Sequence, residues 1–232
     1  MIHVELAAEP ADFDEKVRKP GTRLLYELTG DSRAGKRRGP KRKAIAKRID
    51  DIPVAMLEKS PYWTEALPEL MSRYRYVCAY LGMAIQPWSG GATIDHFVPK
   101  SLDRRLAYEW SNFRLASRPM NTNKQDAMDV LDPCTIENGW FVLKISNFEV
   151  DVSPALRDEK VRAQVRQTIV RLHLNDKIYC DARQYYHDRY LGLVVGKPPL
   201  PLDWLEEGCP FVASELRRQK RLRPEHQKQA KR

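Results

Sequence analysis

The segment from Gly90 to Lys124 constrains this chain more than any other part of it. Gly90-Gly91 marks a turn, Ala92-Thr93-Ile94 reads as a short strand ending at Asp95-His96, and Pro99 stops it. Phe113-Arg114-Leu115-Ala116 alternates as a second short strand. Ser117 then reads as a helix N-cap with Pro119 in the first turn, and that helix carries Asn121 and Lys124. The order strand, loop, strand, helix puts Asp95 and His96 at the end of the first strand and projects Asn121 from the helix opposite.

Around this segment the pattern is mainly helical. Pro10 and Pro20-Gly21 punctuate the first thirty residues, and Arg23 to Leu28 reads as a short helix or strand. A helix is predicted from Ser60-Pro61, with Trp63, Leu67, Leu70 and Tyr74 on its core face and a kink at Pro68. Gly139 to Ile145 reads as a strand with Phe148-Glu149-Val150 as a pairing candidate. Val161, Val165, Ile169 and Leu172 keep helical core spacing. Asn175 or Asp176 is placed to cap a further helix through Tyr185 and Tyr186, and an amphipathic helix is read at Pro210 to Arg218. The predicted fold class is α+β, with no internal repeat.

With 232 residues, 42% hydrophobic and 31% charged, the chain can bury a core without cross-links. No run of about 18 apolar residues is present, which argues against a membrane span. The opening Met1-Ile2-His3-Val4-Glu5-Leu6 lacks the basic-then-apolar plan of a signal peptide, so a cytoplasmic location is expected. Cys78, Cys134, Cys180 and Cys209 are far apart and form no CxxC pair, which points to isolated thiols. The net charge of +9 favours a polyanionic partner. Six of the eight residues Lys36-Arg37-Arg38-Gly39-Pro40-Lys41-Arg42-Lys43 are basic, and Gly and Pro break any regular element there. This is read as a loop or arm that grips phosphates.

These residue types suit phosphodiester hydrolysis. A water must lose a proton, the non-bridging oxygens must be neutralised, and the leaving oxygen must be stabilised. His96 suits the first task because an imidazole titrates near neutral pH. Asp95 and the amide oxygen of Asn121 suit Mg²⁺ or Mn²⁺, hard cations that take oxygen ligands and often keep several waters. Lys100, Arg104, Arg105 and Lys124 lie close in sequence and are candidates to hold the flanking phosphates.

At these residues the chain resembles the HNH nucleases, a ββα-metal family, over about residues 75–133. Asp95-His96, Asn112 and Asn121 match the family pattern, with the nine-residue gap from Asn112 to Asn121. The resemblance implies His96 as general base, Asp95 and Asn121 as metal ligands, and Asn112 as the brace that orients His96. Lys124 matches the basic residue that follows the motif. This is the Asn-ending variant, also found in CRISPR effector nucleases. Many members carry two CxxC pairs for a structural zinc, which would fall at Cys78 and Leu81 and at Ser117 and Met120. One thiolate cannot hold a zinc knuckle, so no structural zinc is expected, and Leu81 and Met120 are suited to fill the space.

The expected layout is a ββα-metal HNH core embedded in a mainly helical chain. Residues 1–56 form an N-terminal region with the basic arm at 31–48. Residues 57–135 form the nuclease core with its leading helix, 136–216 a strand pair with a helical C-terminal region, and 217–232 a basic, flexible tail. Length and layout also resemble HNH effectors of bacterial anti-phage defence, of Septu, retron-linked or Zorya type, which implies an ATPase or sensor partner. The expected activity is DNA cleavage, with RNA left open. The rival expectations are a nucleic-acid-binding subunit that does not cut, and a subunit active only within such a complex.

Overall fold

The computed structural model describes residues 1–35, 40, 42–86 and 90–227. Of the basic arm, Lys36, Arg37, Arg38 and Lys41 lie outside the described residues. A wide helical turn at Asp14–Arg18 leads into α1, Lys19–Thr29. Pro20 lies just past that wide turn, in backbone that is helical on both sides of it. The helix therefore runs through the Pro-Gly pair that the sequence suggests as punctuation. Gly30 closes it in the left-handed conformation, its N–H returning to Glu27 and Tyr26.

After α2, Val54–Glu58, the single helix expected from Ser60 is instead two pieces. A tight turn at Tyr62–Ala66 is followed by α3, Leu67–Arg73, and Pro68 occupies the first turn of α3. A small hairpin follows, β1 (Val77–Cys78) with β2 (Met83–Ala84). Next comes β3, Ala92–His96, antiparallel to β4, Phe113–Ser117, with register from Ala92↔Ser117 to His96↔Phe113. β4 passes directly into α4, Arg118–Lys124. Ser117 stands at the predicted N-cap position, but its hydroxyl makes no capping bond.

The third hairpin pairs β5, Phe141–Leu143, with β6, Val150–Val152. Pairing starts later than predicted because Phe148 takes a positive φ in the turn. The chain ends in α5 (Glu159–Arg171), α6 (Lys177–Leu191), α7 (Leu202–Gly208), α8 (Pro210–Arg218) and α9 (Pro224–Gln227). Asp176 precedes α6 without a side-chain cap. Asn175 instead ties β6, accepting from the Val150 N–H and donating to its carbonyl. Part of the expected free tail is docked: Leu222 is buried, and the Tyr190 hydroxyl meets His226 and the Arg223 N–H. Small antiparallel hairpins among helices make the fold α+β. Among the described residues no helix is long and apolar enough to cross a membrane.

Two hydrophobic cores meet at the β3–β4 hairpin. One gathers Phe13, Leu24, Leu57, Trp63 and Leu70 around Ile94, Phe113 and Leu115. The other gathers Tyr80, Met120, Phe141, Val165 and Phe211 around Ala116. Side chains alternate across a strand, so the hairpin sends one set into each core. That explains why all five residues of β4 are buried, Arg114 included. Arg114 is tolerated there because its guanidinium forks onto Asp132 at 2.7 and 2.6 Å and also donates to the Ser111 and Phe113 carbonyls.

Gly21 sets how closely α1 approaches the loop between β3 and β4. A Cβ on Gly21 would lie 2.1 Å from Tyr108 Cγ, so the ring rests on bare helix backbone. Gly21→Ala must push Tyr108 away. We expect it to cost about 1–3 kcal/mol, the usual penalty of overpacking, read as a lowered urea midpoint at unchanged m-value.

Candidate active site

β3 delivers two polar side chains to opposite cores at its C-terminal end. His96 is buried between Trp63 and Phe113, whose rings it meets edge-on at 5.1 and 5.2 Å between centroids. Its Nε2 lies 3.0 Å from the Ala107 carbonyl. A carbonyl only accepts, so Nε2 carries the hydrogen and Nδ1 holds a lone pair. Burial, with the charges of Lys100 and Lys124 behind it, pushes the imidazole pKa down to about 3. The ring is therefore neutral at physiological pH.

Asp95 points into the other core and is 2% exposed. One carboxylate oxygen accepts from the Tyr80 hydroxyl and the other from Lys124 Nζ at 3.1 Å. Burial pushes the Asp95 carboxyl pKa up, while Lys124, Tyr80 and Arg114 pull it down. Thr93, two residues earlier on the same face, receives the Asn121 amide N–H at 3.5 Å, which brings the Asn121 side chain to the side of Asp95.

Asn112 closes the loop between the strands. Its Oδ1 accepts from the Val98 N–H at 2.7 Å, and its Nδ2 donates to the Val98 and Leu106 carbonyls at 2.9 and 3.1 Å. Leu106 adjoins Ala107, so the amide that closes the loop also supports the carbonyl that orients His96.

Asp95, His96, Lys100 and Asn121 line one cleft of about 310 Å³, with Gln125 and Asp126 at its edge. Lys100 stands over the Trp63 ring at 4.9 Å and makes no ion pair among the described residues. Burial lowers its pKa. Among the described residues no group of three or more His, Cys, Asp or Glu gathers to hold a metal. The donors here are one carboxylate and one amide oxygen. Each Asp95 oxygen spends one acceptor site on its partner and keeps another, and Asn121 Oδ1 accepts no hydrogen bond from the described residues. Such hard oxygens fit a divalent cation that retains several waters.

The basic candidates separate by environment. Lys124 is a correction: its ammonium is buried, spent on Asp95 and on the His96 and Phe97 carbonyls, and has no surface to offer a phosphate. Arg104 is tied to the Ile52 and Ser101 carbonyls, and Arg105 is paired with Asp50 at 2.7 Å. Arg42 is paired with Glu27 and reaches Ser60, whereas Lys43 is exposed.

Sequence reasoning missed Tyr80, Trp63 and the Ala107 carbonyl. No spacing signal marks them, because each reaches the site through a different loop or turn. The Cys78 thiol lies against the Leu81 backbone and against Ser117, and Leu81 and Met120 belong to the same core as Cys78. Cys78, Leu81, Ser117 and Met120 thus converge on one packed region. Comparison with family models, curated proteins and solved structures finds no match to this chain.

Asn112→Ala would strip three backbone groups of their partner. Leaving buried polar groups unpaired costs about 1–3 kcal/mol. The loss is expected as a lowered melting temperature and as faster hydrogen exchange at Val98, whose N–H would no longer be held.

Proposed function

We propose that this chain is a metal-dependent endonuclease of the HNH, ββα-metal type that hydrolyses phosphodiester bonds in DNA. The observation that carries the proposal is His96: a neutral imidazole with Nε2–H fixed on a carbonyl and an Nδ1 with no hydrogen bond among the described residues, lining one cleft with Asp95 and Asn121. β3 supplies Asp95 and His96 and α4 supplies Asn121, with β4 between them in the chain.

In this reading His96 Nδ1 takes the proton of the attacking water. The Ala107 carbonyl, held near the Asn112 clamp, keeps the ring in the required tautomer and accepts from the imidazolium that forms. A bound phosphodiester brings negative charge beside the ring and raises its basicity from the low value of the free protein. A divalent cation on Asp95 and Asn121 would supply charge neutralisation at the phosphate and at the leaving oxygen. Lys100, a cation in the cleft with no carboxylate partner among the described residues, meets a phosphate oxygen. Exposed basic residues such as Lys43 add non-specific attraction to the backbone. An effector role in anti-phage defence, beside an ATPase or sensor subunit, belongs to the same proposal.

One observation favours a second reading, a subunit that binds nucleic acid and never cuts. Lys124 already places a positive charge on Asp95, where a metal would otherwise neutralise it. The two readings separate on supercoiled plasmid. Nicked or linear product that needs Mg²⁺ or Mn²⁺ and disappears with chelator is expected for the nuclease, and salt-sensitive binding with intact plasmid for the alternative. Losing a general base costs about 10²–10⁴-fold in rate, so His96→Ala should fall by that factor while keeping its circular dichroism spectrum. Wild-type cutting by His96→Ala would sink the assignment. Asp95→Ala should lose its response to added metal.

A further inference from the structure

We propose that Tyr80 is a positioning residue for Asp95, so that the β1–β2 segment controls how well the site holds a divalent cation. This rests on the reading of Asp95 as a metal ligand. Tyr80 follows β1 and is fully buried, yet its hydroxyl is spent on one oxygen of Asp95. Lys124, from α4, holds the other oxygen. Two buried donors from two different elements therefore grip one carboxylate, and each oxygen keeps an acceptor site for a further partner.

The geometry explains why a buried tyrosine stands there. A carboxylate at the end of a short strand can rotate about its side-chain bonds, and burial alone sets no orientation for it. Two hydrogen bonds, one on each oxygen, remove that freedom and fix the direction of the remaining lone pairs. Tyr80 belongs to the same core as Cys78 and Leu81, neither of which lines the cleft. Outer partners of a metal-binding carboxylate typically alter metal affinity or activity by 10–100-fold when removed.

The test uses the full-length protein with Mn²⁺ as the probe. Binding is measured by isothermal titration and by the loss of free Mn²⁺ signal in electron paramagnetic resonance, for wild type, Tyr80→Phe and Asp95→Asn. Tyr80→Phe removes only the hydroxyl. It is expected to keep the near-ultraviolet circular dichroism of the fold and to weaken Mn²⁺ binding by about 10–100-fold. The Mn²⁺ concentration giving half-maximal plasmid nicking should shift the same way. Wild-type affinity in Tyr80→Phe, with binding lost in Asp95→Asn, overturns the positioning role and leaves the nuclease reading standing. Equal affinity in all three proteins, or no binding by wild type, overturns the metal-ligand reading and the positioning role with it. Loss of the native spectrum in Tyr80→Phe would assign the hydroxyl a structural task and overturn the proposal.

Discussion

The β3–β4 hairpin is the constraint on which the rest of this molecule depends. Five pairs of antiparallel residues stand between two hydrophobic cores, so most of both faces is buried and only its partly exposed start and the cleft at its end meet water. One face carries Ile94, Phe113 and Leu115 into the first core, and the other meets Tyr80, Ala116 and Met120. Slipping the register by one residue would exchange these sets and bury the wrong groups on each side. The same alternation sends His96 and Asp95 in opposite directions from adjacent positions.

Burying two ionisable groups at the end of one strand requires compensation, and the compensation determines their chemistry. Asp95 is stabilised by a hydroxyl and an ammonium, and its cross-strand neighbour Arg114 by the Asp132 carboxylate. His96 has no counter-ion among the described residues and is kept neutral by burial. A neutral imidazole with one nitrogen committed to a carbonyl is an acceptor at the other. The charges around the cleft therefore differ: Lys124 is buried against Asp95, whereas Lys100 lines the cleft without an ion pair among the described residues.

The loop that spans β3 and β4 links remote packing to this chemistry. Its Tyr108 ring rests on the bare backbone of Gly21, its Leu106 carbonyl is held by Asn112, and its Ala107 carbonyl orients His96. Residues on α1 thereby bear on the position of an atom that never touches them in sequence. Arg104, by bonding the Ile52 carbonyl, ties the same loop to the N-terminal part of the chain.

The local pattern of the sequence determined the strand–strand–helix order, the positions of Asp95 and His96 at a strand end and of Asn121 on the following helix. These depend on alternation, on Gly-Gly and Pro as breaks, and on a Ser-Arg-Pro helix start, all within a few residues of one another. The start of α3 at Leu67 instead of Ser60, the passage of α1 through Pro20-Gly21 and the late pairing of β6 were less legible, since each depends on how a neighbour packs. Only the tertiary structure decided that Tyr80 holds Asp95, that Lys124 is buried beneath the site rather than spread over a phosphate, and that His96 commits Nε2 to a carbonyl. Those outcomes are set by contacts between residues 11 to 29 positions apart. A buried charge or hydrogen-bond donor takes whichever partner the packed core brings within reach, and spacing along the chain carries no record of that choice.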